Sequence, residues 1–240
     1  MILITRPRDE SDQLAKELSK YKLKTCIEPL ISFLPCSNLS FENISANYII
    51  GSIRSVDVLE KNFSNFKHIL DLGDFYVIGE KVKKKLLSIG LQNVINTFED
   101  SSQLIKFLGQ KHFNKNPFIY LCGSVFNIKL IEELENLGII VEQKIIYKTV
   151  QKKKLSDETT LLIQDEKIDS VVFYSTYTAE TFIQLVSNTL IMSKVRNLRY
   201  FCLSLGISNI LVKSGFKNVV HCERPNQLEM IQMIKNHQNT

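Results

Sequence analysis

Tyr48-Ile49-Ile50-Gly51-Ser52-Ile53-Arg54-Ser55-Val56 is answered in the second half of the chain by Val171-Val172-Phe173-Tyr174-Ser175-Thr176-Tyr177-Thr178-Ala179. Each is an apolar run, then a serine, then a second hydroxyl three residues on. The runs are too brief for helices and too continuous for half-exposed strands, so they read as strands buried on both faces, as in parallel sheets covered by helices. The match extends outward. Tyr76-Val77-Ile78-Gly79 through Leu86 to Gly90 and Val94-Ile95 parallels Phe201-Cys202-Leu203-Ser204 through Leu211 to Gly215 and Val219-Val220, and Gln103-Leu104 and Gln227-Leu228 each open a helix. One long unit is used twice.

A shorter pattern also recurs. Ile2 to Leu18 and Ile119 to Leu134 are each a strand, a polar turn and an amphipathic helix, followed by extended runs over 25–34 and 139–150. The order short, long, short, long predicts two similar α/β domains with parallel sheets. The pattern leaves open which short unit joins which long one. The expected junctions are the extended segments 28–35, held by Pro29 and Pro35, and 143–150.

Length and composition agree with this. The chain has 240 residues with 44% apolar content, enough for two small cores. Thirty Lys and Arg face 25 Asp and Glu, a formal +5 spread over short clusters. That balance admits an anionic small molecule or weak nucleic-acid contact and specifies neither. Five cysteines without a Cys-x-x-Cys pair read as free thiols in a reducing, cytoplasmic compartment. The amino terminus lacks the features of a targeting segment, and no apolar run approaches a membrane span. The expected partner is a small molecule, with no nucleic acid and no membrane, and the expected state is a monomer.

His68, His112, His221 and His237 have no metal-ligand spacing with one another or with cysteine, so no metal is expected. Neither a Gly-x-Gly-x-x-Gly nor a phosphate loop is present. Cys122 ends a strand as a nucleophile would, but nothing supplies its base, which favours an inert buried thiol. There remain small polar turns at the carboxyl ends of the strands: Thr5-Arg6, Gly51-Ser52, Gly79-Glu80, Cys122-Gly123-Ser124, Ser175-Thr176 and Ser204-Leu205. Ligands bind at this edge of open parallel sheets, where helix N-termini present free N–H groups. The competing reading is that Ser52 and Ser175 only cap helices.

These turns, in order, resemble the uroporphyrinogen-III synthase family nearly end to end: Ile2-Leu3-Ile4-Thr5-Arg6-Pro7, Pro29, the turns at Ser52 and Ser175, and Val77-Ile78-Gly79. The similarity continues through Leu121-Cys122-Gly123-Ser124, Gly138, Tyr147-Lys148-Thr149, Cys202-Leu203-Ser204, Gly215 and Glu223-Arg224-Pro225. Departures include Lys81-Val82, where members often have Thr-Ala. The resemblance implies two flavodoxin-like domains, one discontinuous (1–33 and 151–240) and one inserted (37–146), joined by a two-stranded extended linker of 34–36 and 147–150. It implies the cyclisation of hydroxymethylbilane to uroporphyrinogen III in tetrapyrrole (haem) biosynthesis, with loss of water, inversion of the terminal pyrrole ring and no cofactor. A linear tetrapyrrole polycarboxylate suits many dispersed donors, which makes Thr5, Arg6, Ser52, Gly79, Cys122, Gly123, Ser124, Ser175, Thr176 and Ser204 the substrate-binding candidates. Tyr147, in the Tyr-x-Thr that closes the second linker, is the candidate proton donor; the alternative is that it only packs. A reading from another class is a two-domain solute-binding protein that holds an anion without catalysis.

Overall fold

The computed structural model describes residues 1–37, 39–40, 47–62, 70, 73–110 and 117–238. The chain divides into two compact units, Met1–Ser32 with Val150–Thr240 (unit 1) and Phe33–Thr149 (unit 2). Each is built on a mainly parallel sheet with helices on both faces.

Unit 1 contains β1 (Ile2–Ile4), α1 (Arg8–Ser19) and β2 (Thr25–Ile27) from the start of the chain. Its remaining elements are α6 (Asp157–Gln164), β9 (Ser170–Phe173), α7 (Thr176–Val186), α8 (Met192–Val195), β10 (Arg199–Cys202), α9 (Leu205–Lys213), β11 (Asn218–His221) and α10 (Gln227–Gln238). The strand order is β11-β10-β9-β1-β2, with every neighbour parallel. Alternation along the strands divides the core by face. Leu3, Val171, Phe173, Tyr200 and Cys202 pack on one side, Ile2, Ile4, Val172 and Phe201 on the other.

Unit 2 contains β3 (Ile31–Pro35, which begins at the boundary), β4 (Asn47–Ile50), α2 (Ile53–Lys61), β5 (Asp74–Ile78), α3 (Glu80–Ser88), β6 (Val94–Phe98) and α4 (Ser101–Gly109). It continues with β7 (Phe118–Gly123), α5 (Ile128–Asn136) and β8 (Val141–Gln151), the last crossing the boundary. The sheet order is β3-β8-β7-β4-β5-β6. Strands β8 through β6 run parallel. Lys152 N donates to Leu30 O at 2.8 Å and Cys36 N to Ile146 O at 3.0 Å, so the segments of β3 and β8 run in opposite directions.

These orders answer the question the pattern left open. The first short unit, β1 and β2, joins the last long unit, β9 to β11, through the β1–β9 pair. The middle long unit, β4 to β6, joins the middle short unit, β7 and β8, through the β4–β7 pair. Both sheets have one spatial order, short-unit strands beside long-unit strands, which in unit 1 is the flavodoxin-like 2-1-3-4-5. In unit 2 the chain visits the long unit first, a circular permutation of the same layout. Among the described residues, no helix is long and apolar enough to cross a membrane.

Candidate functional site

In unit 2 the candidate residues collect at the carboxyl edge of the sheet. Ser52 follows β4 and caps α2, its Oγ accepting the Arg54 N–H at 3.2 Å. Gly79 follows β5 at φ +96°, a conformation that favours glycine, and its N–H donates to Phe98 O at 2.7 Å. Cys122 and Gly123 end β7. Tyr147 lies within β8, inside the sheet of unit 2.

A bulge places that tyrosine. Leu121 pairs with Lys144 and Cys122 with Ile145, but Gly123 pairs with Tyr147, so Ile146 is an extra residue in β8. Successive side chains on a regular strand face opposite ways; here Ile146 and Tyr147 enter the same core cluster, at 0% and 6% exposure. The Tyr147 ring then lies directly on Gly123. A Cβ at position 123 would meet its Cε2 at 2.3 Å and its Cζ at 2.4 Å, so no larger residue fits without displacing the ring. Phe33 closes the side, edge-on at 5.6 Å between ring centres. Ser124 N donates to Tyr147 O at 2.9 Å, and Ser124 Oγ accepts the Thr149 N–H at 3.0 Å. Ser124 thus holds the backbone at the tyrosine carbonyl and two residues beyond it.

The Tyr147 phenol ends 3.1 Å from Ser52 Oγ. Burial pushes its pKa above the ordinary value, with Cys122 adding to the rise; the Ser52 hydrogen bond and the charge of Arg54 oppose it. At neutral pH the phenol therefore keeps its proton and can donate it. Arg54 lies 5.0 Å over the Phe33 ring and reaches Asp57 at 3.3 Å. Cys122 is 3% exposed, and burial pushes its thiol up to about 11, as an inert cysteine requires.

In unit 1 the candidates line the matching edge without converging in the same way. Thr5 is fully buried and its hydroxyl donates to Val172 O at 2.8 Å, so its side chain is spent within the fold. Arg6 pairs with Glu10 and stacks 3.9 Å over the Tyr174 ring. Burial pushes the Tyr174 phenol up to about 12, against the pull of Arg6. Ser175 caps α7 by accepting the Thr178 N–H at 3.2 Å, and Thr176 opens that helix. Ser204 precedes α9 without a side-chain cap bond.

Capping is thus real at both serines, and Ser52 does more than cap. Sequence reasoning missed Phe33, Arg54 and Tyr174 as neighbours of these sites; Arg54 and Tyr174 lie beside the two repeated serines, the one signal that could have found them. Among the described residues, no group of three or more His, Cys, Asp or Glu side chains could hold a metal ion.

The family model described as Uroporphyrinogen-III synthase HemD matches residues 12–232. An uncharacterized protein of Rickettsia prowazekii strain Madrid E is 21% identical over 97% of both chains. Among solved structures, the uroporphyrinogen-III synthetase of Helicobacter pylori 26695 is similar at TM-score 0.67 and 15% identity, covering 98% of each chain. A mutant uroporphyrinogen III synthase of the extremely thermophilic bacterium Thermus thermophilus is similar at TM-score 0.58 and 11% identity, covering 99% of this chain and 97% of that one. At such identities these two likenesses speak for the fold.

Proposed function

Because the chain belongs to the uroporphyrinogen-III synthase family, we propose that it closes hydroxymethylbilane to uroporphyrinogen III with Tyr147 as the proton donor. The observation that carries this reading is a buried, protonated phenol held at the carboxyl edge of the unit 2 sheet by a bulge, a glycine platform and a hydrogen bond to Ser52. In the proposed step the Tyr147 proton goes to the terminal hydroxyl of the substrate, which leaves as water. The freed methylene carbon is attacked by the already substituted α-carbon of the last pyrrole, giving a spirocyclic intermediate. The bond from that carbon to its original methylene then breaks, that methylene joins the ring's free α-carbon, and the proton lost from the free α-carbon replaces the one Tyr147 gave. The balance is two carbon–carbon bonds formed against one carbon–carbon, one carbon–oxygen and one carbon–hydrogen bond broken, with one water lost.

The substrate's pyrroles supply the electrons. The protein's tasks are to hold the chain folded and to assist the leaving group. The turns at Ser124, Ser175 and Ser204 are the proposed carboxylate-binding positions, acting through backbone N–H groups as much as side chains. The solute-binding reading is not favoured by the family match.

The test is incubation with freshly generated hydroxymethylbilane and separation of the ring isomers. Wild type yields the type III isomer, whereas spontaneous closure gives type I. Tyr147→Phe keeps the ring on Gly123 and removes the donor. It should slow the reaction by about 10²-fold or less, the low end for general-acid assistance, because this hydroxyl departs readily. Type I should rise while the melting temperature stays close to wild type. Full rate and isomer purity in Tyr147→Phe would leave the tyrosine a packing residue.

A further inference from the structure

We infer that Ser52 acts on the reaction through Tyr147, as the positioning residue that turns the phenol proton outward, rather than by holding substrate itself. The inference rests on Tyr147 being the proton donor. A serine hydroxyl has one proton and two lone pairs, and a phenol has one proton and can also accept. The Arg54 N–H already occupies one lone pair of Ser52 Oγ. The 3.1 Å contact to the Tyr147 phenol can then run in either direction. If the phenol donated, its single proton would point inward at Ser52 and be unavailable to a substrate. If Ser52 donates, the phenol oxygen accepts and its own proton is left facing away.

The helix selects the second arrangement. Ser52 sits at the amino end of α2, where the free N–H groups carry partial positive charge. An Oγ that already accepts from such an N–H is a poorer second acceptor and a better donor, because successive hydrogen bonds polarise one another. The relay from Arg54 N–H through Ser52 Oγ–H to the Tyr147 oxygen runs in the direction that stabilises negative charge on the phenol as its proton departs. The ring is held by Gly123 beneath and Phe33 at its edge, which keeps the phenol at Ser52. The same hydrogen bond opposes the effect of burial on the phenol's acidity.

A double-mutant cycle read by rate and isomer ratio tests this. Glycine is tolerated at helix N-caps, so Ser52→Gly deletes the hydroxyl with little effect on α2. It should slow type III formation by about five- to tenfold, the value of one good hydrogen bond, and should have no further effect in the Tyr147→Phe background. Ser52→Asp keeps the cap but can only accept, drawing the phenol proton inward, and should be slower than Ser52→Gly while melting near wild type. The inference is overturned if Ser52→Gly costs the same factor in both backgrounds, as a direct substrate contact would, or if Ser52→Asp reacts at the wild-type rate. Full activity in Tyr147→Phe alone would remove the proton-donor reading and this inference together, an outcome distinct from the other two.

Discussion

Gly123 shows how little of a site's geometry resides in a residue's own chemistry. In the sequence it is one glycine of a Cys-Gly-Ser turn, and its proposed use was substrate contact. In the fold it is the floor under Tyr147. Gly123→Ala adds a single methyl where the ring already lies, so the ring or the strand must shift. Overpacking of this kind costs about 1–3 kcal/mol. A displaced ring also loses the Ser52 contact, so the variant should yield more type I isomer, approaching the Tyr147→Phe ratio, and adding Tyr147→Phe should lower activity no further. Thermal melting with isomer analysis checks both parts; a wild-type isomer ratio in Gly123→Ala would show that the platform is dispensable. Tyr147 was legible as a candidate through its Tyr-x-Thr setting. Its floor was not, because that contact joins residues on different strands.

At the scale of elements, the central strands and their caps were readable locally. The Ser52 and Ser175 caps and the doubly buried strands β1, β4, β9 and β10 follow from neighbours in sequence. The bulge at Ile146 was not readable, since a register shift exists only against the partner strand. The anchoring of α6 was hidden for the same reason. There Glu28, 2% exposed, accepts Ser156 N at 3.0 Å and the hydroxyls of Ser156 and Thr159, both at 2.6 Å, and pairs with Lys152. Burial works to raise the Glu28 pKa, but Lys152 and the Ser156 and Thr159 bonds outweigh it and hold the carboxyl below its ordinary 4.5. A carboxyl depressed on folding contributes stability that is fully present above the unfolded pKa and is lost as pH falls through the folded one. Glu28→Gln should therefore be less stable at neutral pH by about 1.5–3 kcal/mol, the range for hydrogen bonds to a charged group. Its melting temperature should also fall less steeply than wild type as pH drops below 4.5. Parallel pH profiles for the two proteins would contradict this account.

For the whole molecule, the twice-used units foretold two sheets of one layout, and the order of strands settled which units combine. Local pattern could not decide that, because β1 pairs with β9 across most of the chain's length: Ile2 faces Ser170 and Ile4 faces Val172. The consequence falls on the order of synthesis. A ribosome delivers all of Phe33–Thr149 before any of β9 exists, so unit 2 can complete its sheet while β1 has only β2 beside it. Long-range pairing of this kind is slow to form. In refolding followed by pulsed hydrogen exchange, amides of β4 and β7 should gain protection before those of β1 and β9, and simultaneous protection would count against this order. Translation halted anywhere short of Val172 would release a chain whose first strand keeps one edge open, the arrangement most prone to pair with a stranger.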